Sequence, residues 1–343
     1  MKVAIIGTGL QARRRAPVLA QSKDDALAVV VSTQLARAQD FAKAYAGCAA
    51  SDNWRETVAR KDLDAVVICT TPDQHPEVAI AALRAGKHVL CEKPLSRTLA
   101  EAGAMVAAAA EAKRVLKCGF NHRHHPAVLQ AKALADQGQF GRLLTGRCRY
   151  GLCGRPGYEK EWRSNPARAA GGHLMELGIH GIDLFRWFFG EVVSVSAMTG
   201  ALYFPMAPLD DNVMALLRTK GGALLQLHSS LTQWKNLFSF EVIGEEGYFT
   251  VEGLGASYGE ERLITDRRDF SAPFQDHVTQ YRGADKSWQL EWEEFAAAIR
   301  EKREPLGNGT DGLEALRIVQ AAYESERAGR MLDPGEVRTD GRQ

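Results

Sequence analysis

The opening of the chain constrains its fold most, because a short apolar run leads directly into a turn with two glycines. Residues 3–6 (Val-Ala-Ile-Ile) predict a buried strand, and a helical stretch follows the turn. In such a pattern Gly7 permits the tight turn, Gly9 lets the backbone approach a pyrophosphate, and Ala12 keeps helix and strand close. The opening therefore predicts a dinucleotide site, with an ordinary strand–turn–helix as the alternative. The predicted cofactor-binding residues here are Gly7, Thr8, Gly9, Leu10, Gln11 and Ala12.

The first third of the chain alternates apolar runs with stretches of helical composition. Predicted strands lie at residues 3–6, 27–31, 65–69, 88–91 and 115–118, and predicted helices at 11–21, 36–46, 76–85 and 99–113. Apolar strands joined by helices are typical of a parallel sheet covered on both faces. Right-handed crossovers then give a doubly wound fold, with ligands at the carboxyl ends of the strands.

The pattern changes after about residue 119. A predicted helix at 126–136 precedes apolar runs without regular helices between them, at 192–199, 212–218, 223–231, 237–243 and 248–251. The glycine-containing segments 220–222 and 244–247 are hairpin signals, so this half predicts an antiparallel or mixed sheet. Two amphipathic helices are predicted at 288–301 and 311–328. We expect domains at 1–120 and 121–332, followed by a polar tail at 333–343.

Charge and cysteine content exclude several classes of protein. The formal net charge of the 343 residues is +1, which gives no bulk electrostatic reason to bind nucleic acid or a membrane surface. No apolar run approaches the ~18 residues of a membrane span. The six cysteines form no C-x-x-C pair, which is typical of free thiols in a cytoplasmic protein. We expect neither a disulfide framework nor a metal site.

The end of the second predicted strand bears on the choice of cofactor. NAD sites usually carry an acidic residue about 20 residues after the glycine turn, where it binds the ribose 2′-hydroxyl. This chain has Ser32 and Thr33 there, with Arg37 close behind, so a 2′-phosphate would meet no carboxylate. We therefore expect NADP or NAD, with NADP slightly favoured. The run of arginines at 13–15 opposes the helix dipole, which an anion would offset; the alternative is three solvated arginines.

Two further strand ends contribute polar residues to the ligand edge of the first sheet. The predicted strand at 65–69 is followed by Thr70, Thr71, Pro72 and His75, and the predicted strand at 88–91 is followed by Glu92 and Lys93. We assign all six to the cofactor site. Lys93 points toward the nicotinamide side in this interpretation, although a lysine at a strand end can equally be solvated.

The segment 171–183 of the second half is the other unusual feature. Glu176 and His180 are four residues apart and Asp183 follows at three, so on an α-helix all three share one face. Two glycines precede the helix and allow a close approach of a ligand or another backbone. A general acid/base histidine oriented by a carboxylate and a buried structural histidine both remain open. No third ligand has convincing spacing for a metal.

These residues resemble the glucose–fructose oxidoreductase/inositol dehydrogenase family, also called Gfo/Idh/MocA. Four motifs occur in the family's order and at similar separations over nearly the whole chain: Gly7-x-Gly9-x-x-Ala12, Glu92-Lys93-Pro94, Gly119-Phe120-Asn121, and 171–183. The resemblance implies an α/β protein. Its N-terminal part would be a Rossmann domain with a doubly wound parallel sheet, and its C-terminal part an α/β domain with a large open, mostly antiparallel sheet.

The resemblance also implies roles for individual residues. Lys93 and His180 fall on the family's lysine and proton-transfer histidine, and Glu176 falls where Asp is commoner. The acidic ribose-binding residue is missing, and Thr33 stands where some NADP-using relatives have Arg. Asn121, Trp162 and Arg163 would approach the nicotinamide. The candidates for the substrate pocket are Lys93, Arg123, His124, Tyr158, Arg163, Glu176, His180, Asp211, Trp234 and Lys235.

The sequence thus predicts an NAD(P)-dependent oxidoreductase that interconverts a secondary alcohol and a ketone on a sugar, nucleotide-sugar or cyclitol. His180 would move the proton, Lys93 would polarise the oxygen, and Glu176 would orient one or both. The alternatives are a sugar–sugar oxidoreductase with a tightly bound cofactor, and a non-catalytic NAD(P)-binding sensor or scaffold. We expect a polyol or keto-sugar substrate and a homodimer or homotetramer formed through the C-terminal sheet.

Overall fold

Continuous apolar runs in the first third of the chain form a parallel six-stranded sheet. A computed structural model describes residues 1–271 and 275–337. The strands are β1 (Lys2–Ile6), β2 (Ala26–Val31), β3 (Ala49–Ser51), β4 (Ala65–Ile68), β5 (His88–Glu92) and β6 (Leu116–Gly119). Their order is β3-β2-β1-β4-β5-β6, so the crossover direction reverses between β1 and β4. That switch point is where doubly wound sheets bind their ligands.

Five helices connect these strands. They are α1 (Leu10–Gln21), α2 (Leu35–Ala42), α3 (Trp54–Ala59), α4 (His75–Arg84) and α5 (Leu99–Ala112). A capping box starts α5, since Thr98 accepts from the Glu101 N–H and Glu101 returns the bond to Thr98. Sequence reasoning missed β3 and α3, both of which are short. The Asn53 side chain caps α3 by accepting from two backbone N–H groups. Asparagine is a preferred N-cap residue, so Asn53 could have indicated the start of this helix.

The second half builds an eight-stranded sheet. Its strands are β7 (Leu143–Gly151), β8 (Val192–Gly200), β9 (Asn212–Thr219), β10 (Leu224–Ser230), β11 (Leu237–Gly244), β12 (Gly247–Glu252), β13 (Glu261–Arg267) and β14 (His277–Tyr281). The order is β14-β13-β12-β11-β7-β10-β9-β8, antiparallel except where β7 and β10 run parallel. The predicted fold class is confirmed.

Four further α-helices lie within the described residues. They are α6 (Pro126–Asp136), α7 (Ile179–Phe189), α8 (Ser287–Glu301) and α9 (Gly309–Ala328). Helix α7 packs closely on the second sheet because Gly181 has no side chain. A Cβ there would lie 2.9 Å from Cys148 Sγ on β7 and 2.9 Å from Leu227 on β10. This contact anchors the start of α7, which carries His180.

The chain divides into two compact units, and α8 belongs to the first. That unit comprises Met1–Phe120 and Trp288–Leu313, and the second comprises Asn121–Ser287 and residues 314–337. The expected domain boundaries differ from this division, since they assigned 121–332 to one domain. The physical reason is the apolar face of α8, where Trp292 and Phe295 join the core of the parallel sheet. Trp292 also donates to Asp25, with Nε1 2.9 Å from Oδ2.

Three smaller predictions concern the whole chain. No helix within residues 1–271 and 275–337 combines the length and apolar character needed to cross a membrane. All six cysteines lie in the described part and remain thiols. The predicted tail at 333–343 is described only to residue 337, where Asp333 caps a 3-10 turn at Pro334–Glu336. The rest of that tail lies outside the described residues.

Candidate active site

The turn between β1 and α1 has the geometry that a dinucleotide needs. Gly7 has a φ of +108°, and a Cβ on it would lie 2.6 Å from the Cys69 carbonyl oxygen at the end of β4. Only glycine fits there. By contrast, a Cβ on Gly9 would meet no atom within 4 Å, so the space above the N-terminus of α1 is open. The two glycines therefore serve different purposes, turn geometry at Gly7 and close approach of a ligand at Gly9.

Unsatisfied polar groups at the same place support a bound cofactor. Helix α1 has no side-chain cap and no acidic residue in its first turn, so its N–H groups are available to an anion. The buried atoms Gln11 Oε1 and Thr70 Oγ1 have no hydrogen-bond partner among the described residues. Buried polar groups are normally bonded, so these atoms fit a site that a polar ligand completes. The residues present fit a nicotinamide dinucleotide.

The structure divides the arginine run into one buried residue and two exposed residues. Arg15 is buried: its Nε lies 2.6 Å from Glu92 and its Nη2 lies 2.9 Å from Glu291. Burial alone would lower the pKa of Arg15, but the two carboxylates raise it above its ordinary value. Arg13 and Arg14 are exposed and lie over aromatic rings of their own unit. Arg15 thus departs from the solvated alternative, whereas the exposed Arg13 and Arg14 agree with it.

That ion pair also bears on Glu92, which was predicted to bind the cofactor. The carboxylate is 5 % exposed and accepts from Arg15, so it ties the end of β5 to α1. Glu92 therefore supports the position of the next residue, Lys93. A direct contact of Glu92 with the cofactor stays a prediction.

The end of β2 carries Ser32, as the sequence predicted. Its Oγ lies 3.4 Å from Thr8 Oγ1, so the two hydroxyls lie at the ligand edge together. Thr33 and Arg37 are exposed just beyond. The residues at this strand end thus offer hydroxyl and guanidinium donors to a ligand, and no carboxylate lies among 31–37.

His75 links the ends of β4 and β5. Its Nε2 lies 3.2 Å from the Thr70 carbonyl oxygen and its Nδ1 lies 3.0 Å from the Pro94 carbonyl oxygen. Burial lowers the pKa of His75, although the two carbonyls act in the opposite direction. The imidazole holds together two loops of the ligand edge, one of which carries Lys93.

In the second unit, the predicted helix begins with one turn of π-helix at Leu174–Gly178, before α7. The expected α-helical spacing therefore does not describe Glu176 and His180, which lie on either side of the change in winding. Asp210 fixes the start of this turn. Its Oδ2 accepts from the Leu174 N–H at 2.8 Å, and its Oδ1 accepts from the Tyr323 hydroxyl at 2.7 Å. A Cβ on Gly172 would lie 2.2 Å from Asp210, which explains one of the two glycines.

Glu176 binds two residues of the preceding loop. The Tyr158 hydroxyl donates to Oε2 at 2.6 Å, and Arg163 Nε donates to Oε1. Burial and the charge of Glu176 together raise the pKa of Tyr158 well above its ordinary value, so its hydroxyl stays a donor. Both oxygens of Glu176 thus have strong donors, which favour the carboxylate form. Arg163 also lies over the Trp162 ring, 4.6 Å from its centroid.

His180 lies in the first turn of α7, buried, with its ring stacked on that of His122. His122 belongs to a 3-10 turn at Asn121–His124, all four residues of which are buried. Arg123 of this turn forms a bidentate pair with Asp183, with Nε to Oδ2 at 2.8 Å and Nη2 to Oδ1 at 2.6 Å. This pair ties the turn to α7, and a substrate role for Arg123 stays a prediction.

The remaining substrate candidates contact other groups of the second unit. Asp211 accepts from three backbone N–H groups of residues 202–204, each at 2.8 Å, so it organises that loop. These bonds lower the pKa of Asp211 against the effect of its burial. Trp234 is 81 % exposed, with Lys235 5.0 Å from its ring centroid. Both line a cavity of about 840 Å³ that also includes Arg149 and Tyr258.

Comparison with known proteins decides the family. Residues 1–120 match the GFO_IDH_MocA family model, described as "Oxidoreductase family, NAD-binding Rossmann fold", and residues 128–250 match the GFO/IDH/MocA C-terminal domain. The chain belongs to the Gfo/Idh/MocA family. The predicted family and the predicted class, an NAD(P)-dependent dehydrogenase or reductase, are confirmed.

Two relatives and one solved structure illustrate the similarity of this Gfo/Idh/MocA protein to known proteins. It is 28 % identical to levoglucosan dehydrogenase of Pseudarthrobacter phenanthrenivorans, covering 84 % of each chain. It is 32 % identical to 1,5-anhydro-D-fructose reductase of Ensifer adhaerens, covering 80 % of this chain and 81 % of the relative. A solved structure of levoglucosan dehydrogenase in complex with NADH and levoglucosan matches with a TM-score of 0.89 at 25 % identity, covering 98 % of this chain and all of that one.

Sequence reasoning missed several residues that shape the site of this Gfo/Idh/MocA member. Glu291 and the Asp210–Tyr323 pair gave no signal, because each acts on residues distant in sequence. His122 could have been found: the run His122-Arg123-His124-His125 is a dense group of basic side chains directly after the predicted Asn121. Four such residues in succession are seldom all buried without a defined role.

Proposed function

We propose that this protein interconverts a secondary alcohol and a ketone on a sugar, nucleotide-sugar or cyclitol, with NAD(P)(H) as the redox partner. The observation that carries the proposal is the buried, stacked imidazole of His180 at the start of α7. A buried histidine held in one orientation is suited to proton transfer. The sugar-acting relatives named above support the substrate class.

The proposed chemistry separates hydride from proton. A bound nicotinamide supplies the hydride acceptor in the oxidation and the hydride donor in the reduction. In the oxidation, His180 takes the hydroxyl proton while the carbon–hydrogen bond gives up its electron pair as hydride. Lys93 donates a hydrogen bond to the same oxygen and stabilises the negative charge that develops on it. In the reduction, His180 returns the proton.

Glu176 orients its surroundings in this scheme and does not carry the proton. Its oxygens accept from Tyr158 and Arg163, and a carboxylate with two such donors is a weak base. The pair of bonds holds the segment that contains Trp162. We therefore propose that Glu176 positions this segment for cofactor and substrate binding.

For the cofactor, we propose that NADP(H) is accepted at least as well as NAD(H). Ser32 stands at the end of β2 in place of a carboxylate, so nothing at that strand end repels a 2′-phosphate. The exposed Thr33 and Arg37 supply donors within reach of the same edge.

For the assembly, we propose a homodimer or homotetramer that uses the open face of the second sheet. Met198, Met214, Leu216 and Leu224 are each at least 49 % exposed on the neighbouring strands β8, β9 and β10. An apolar patch of this kind fits burial against a second copy. The six thiols are typical of a cytoplasmic protein, which we propose as its compartment.

The test is a panel of polyols and keto-sugars with both cofactors, read at the absorbance of the reduced nicotinamide. With the best substrate, His180→Ala and Lys93→Met should each lower kcat by about 10²–10⁴-fold while cofactor binding is retained. The double variant should lose much less than the product of the single losses, because both residues act on one oxygen. His277→Ala and Lys43→Met, at exposed positions, are the matched controls.

Two results would contradict the proposal. Near-normal turnover in His180→Ala with the cofactor bound would remove His180 as the acid/base. Turnover between two sugars without release of reduced cofactor would instead support a sugar–sugar oxidoreductase.

A further inference from the structure

The rings of His122 and His180 stack directly on each other. Their centroids are 3.7 Å apart with an interplanar angle of 22°, and both residues are buried. His122 comes from the 3-10 turn at Asn121–His124 and His180 from α7, so the stack joins two elements of the second unit. The spacing is that of two aromatic rings in van der Waals contact.

Hydrogen bonds at both nitrogens determine the form of His122. Asn121 Nδ2 donates to Ser287 Oγ at 3.0 Å, so its Oδ1 faces His122 Nδ1, 3.1 Å away. An amide oxygen only accepts, and Nδ1 therefore carries the hydrogen. Nε2 lies 2.9 Å from the Tyr150 hydroxyl oxygen and accepts a hydrogen bond from that hydroxyl. These bonds, together with burial, favour a neutral His122.

Several charged and titratable groups near the stack are themselves paired. Arg123 is bonded to Asp183 of α7, and His125, whose ring lies 5.6 Å from that of His122, is 2.8 Å from Glu261 of β13. Glu176 in the preceding π-turn binds Tyr158 and Arg163.

Two uncharged rings also lie next to the stack. Tyr150 of β7 lies 6.3 Å from His180, and Phe238 of β11 presents its edge to His122 at 5.8 Å. His122 thus offers His180 a neutral aromatic face. Such a face attracts an imidazolium and adds no like charge to it.

We propose that His122 is a positioning residue for His180. Its ring fixes the plane of the His180 imidazole. Because Asn121 and Tyr150 favour a neutral His122, the stacked ring adds no like charge to His180 when His180 takes up a proton. This inference rests on the proposed proton-transfer role of His180 and extends it to a residue that need not contact the substrate.

The experiment compares three variants across pH. His122→Ala removes the stacking ring, His122→Phe keeps an aromatic face that cannot titrate, and Tyr150→Phe removes the hydroxyl that donates to Nε2. His277→Phe and Tyr281→Phe, both on β14, are the matched controls. For each variant we would measure kcat, KM and cofactor affinity from pH 5.5 to 9.5, and follow the histidine ring nitrogens by ¹⁵N NMR.

We expect His122→Ala to lower kcat by roughly 10–100-fold, since a misplacement of about 1 Å can cost that much. Its KM and cofactor affinity should stay within about threefold of the wild type. His122→Phe should restore kcat to within about threefold. In Tyr150→Phe, His122 loses the donor that favours its neutral form, so the single acidic step of the kcat profile should become two coupled steps. In the wild type, His122 should remain neutral with hydrogen on Nδ1.

Wild-type kcat and pH profile in His122→Ala would overturn the proposal, as would a His122 ring that titrates in the wild type. If His122→Ala does not fold, the kcat–pH profile of Tyr150→Phe and the ¹⁵N resonances decide. The proposal then fails if that profile keeps the single wild-type step and the His122 ring of the wild-type protein is charged. His180→Ala is measured alongside. If it keeps turnover, the proposed function fails; if it is inactive while His122→Ala behaves as wild type, only this inference fails.

Discussion

Replacing Arg15 by Met should destabilise the protein strongly and in a pH-dependent way. The guanidinium is 4 % exposed and lies between Glu92 and Glu291, which are 5 % and 0 % exposed. Methionine keeps most of the aliphatic stem but removes the charge, so two carboxylates remain buried beside each other. Lys117, whose Nζ is 3.8 Å from Glu291, compensates only one of them. Breaking a buried ion pair in this way typically costs about 3–5 kcal/mol.

The pH dependence gives a second, independent magnitude. The cheapest response of the variant is for one carboxyl to take up a proton on folding. For an ordinary carboxyl pKa near 4.3, this costs about 5 kcal/mol at pH 8 and about 2 kcal/mol at pH 6. Glu291 already behaves in this sense, since burial raises its pKa in the wild-type protein despite Arg15 and Lys117. A carboxyl whose pKa is higher in the folded than in the unfolded state lowers the free energy of unfolding as the pH rises above its unfolded pKa. The destabilisation of Arg15→Met should therefore grow from pH 6 to pH 8.

The assay is urea unfolding at pH 6, 7 and 8 without cofactor, followed by tryptophan fluorescence and far-UV circular dichroism. Arg14→Met is the matched control, because Arg14 is exposed and lies over the same Trp288 ring, at 5.3 Å against 5.0 Å for Arg15. We expect that control to change the free energy of unfolding by less than about 0.5 kcal/mol. A loss in Arg15→Met that equals the control, or that stays constant from pH 6 to pH 8, would refute the reasoning.

Three further outcomes follow from the site and the sheet. Gly9→Ala should leave the free energy of unfolding within about 0.5 kcal/mol of wild type, because the added Cβ meets no protein atom. The same change should raise the cofactor Kd at least about tenfold. Unchanged cofactor affinity in a calorimetric titration would contradict the site. Thr33→Asp should move kcat/KM toward NAD(H), and a wild-type enzyme that already prefers NAD(H) by more than about tenfold would overturn the NADP proposal. Leu216→Glu should produce monomers in sedimentation velocity, whereas a wild-type monomer at micromolar concentration would exclude the proposed assembly.

Much of the fold could be predicted because it depends on local patterns. The strand before Gly7 and helix α6 both form where the sequence pattern predicted them. For the strand, burial on both faces of a parallel sheet requires a continuous apolar run. The same holds for Ser32, whose place depends only on where β2 ends. Residues whose position follows from one strand or one helix were therefore within reach of the sequence.

Residues whose role depends on a partner distant in sequence could not be assigned from the sequence. Nothing near Arg15 in the sequence shows that Glu291 forms an ion pair with it. The two alternatives considered, a solvated and a phosphate-binding arginine, therefore did not include a buried ion pair. The π-turn before His180 is also hidden, because Glu-x-x-x-His fits an α-helix equally well. Asp211 organises a loop through N–H donors of residues 202–204, and no local sequence pattern indicates these three bonds.

The late return of the chain to its first unit has a consequence for synthesis on the ribosome. Helix α8 supplies Trp292, Phe295 and Glu291 to the parallel sheet and its buried charges, yet residues 121–287 must be translated before it. At about 5–20 residues per second, that takes roughly ten to thirty seconds. During this interval the nascent Rossmann unit exposes an apolar face and an Arg15–Glu92 ion pair that still lacks its second carboxylate, Glu291. The cofactor-binding half of the enzyme is thus the first to be made and is completed only after most of the second unit has emerged.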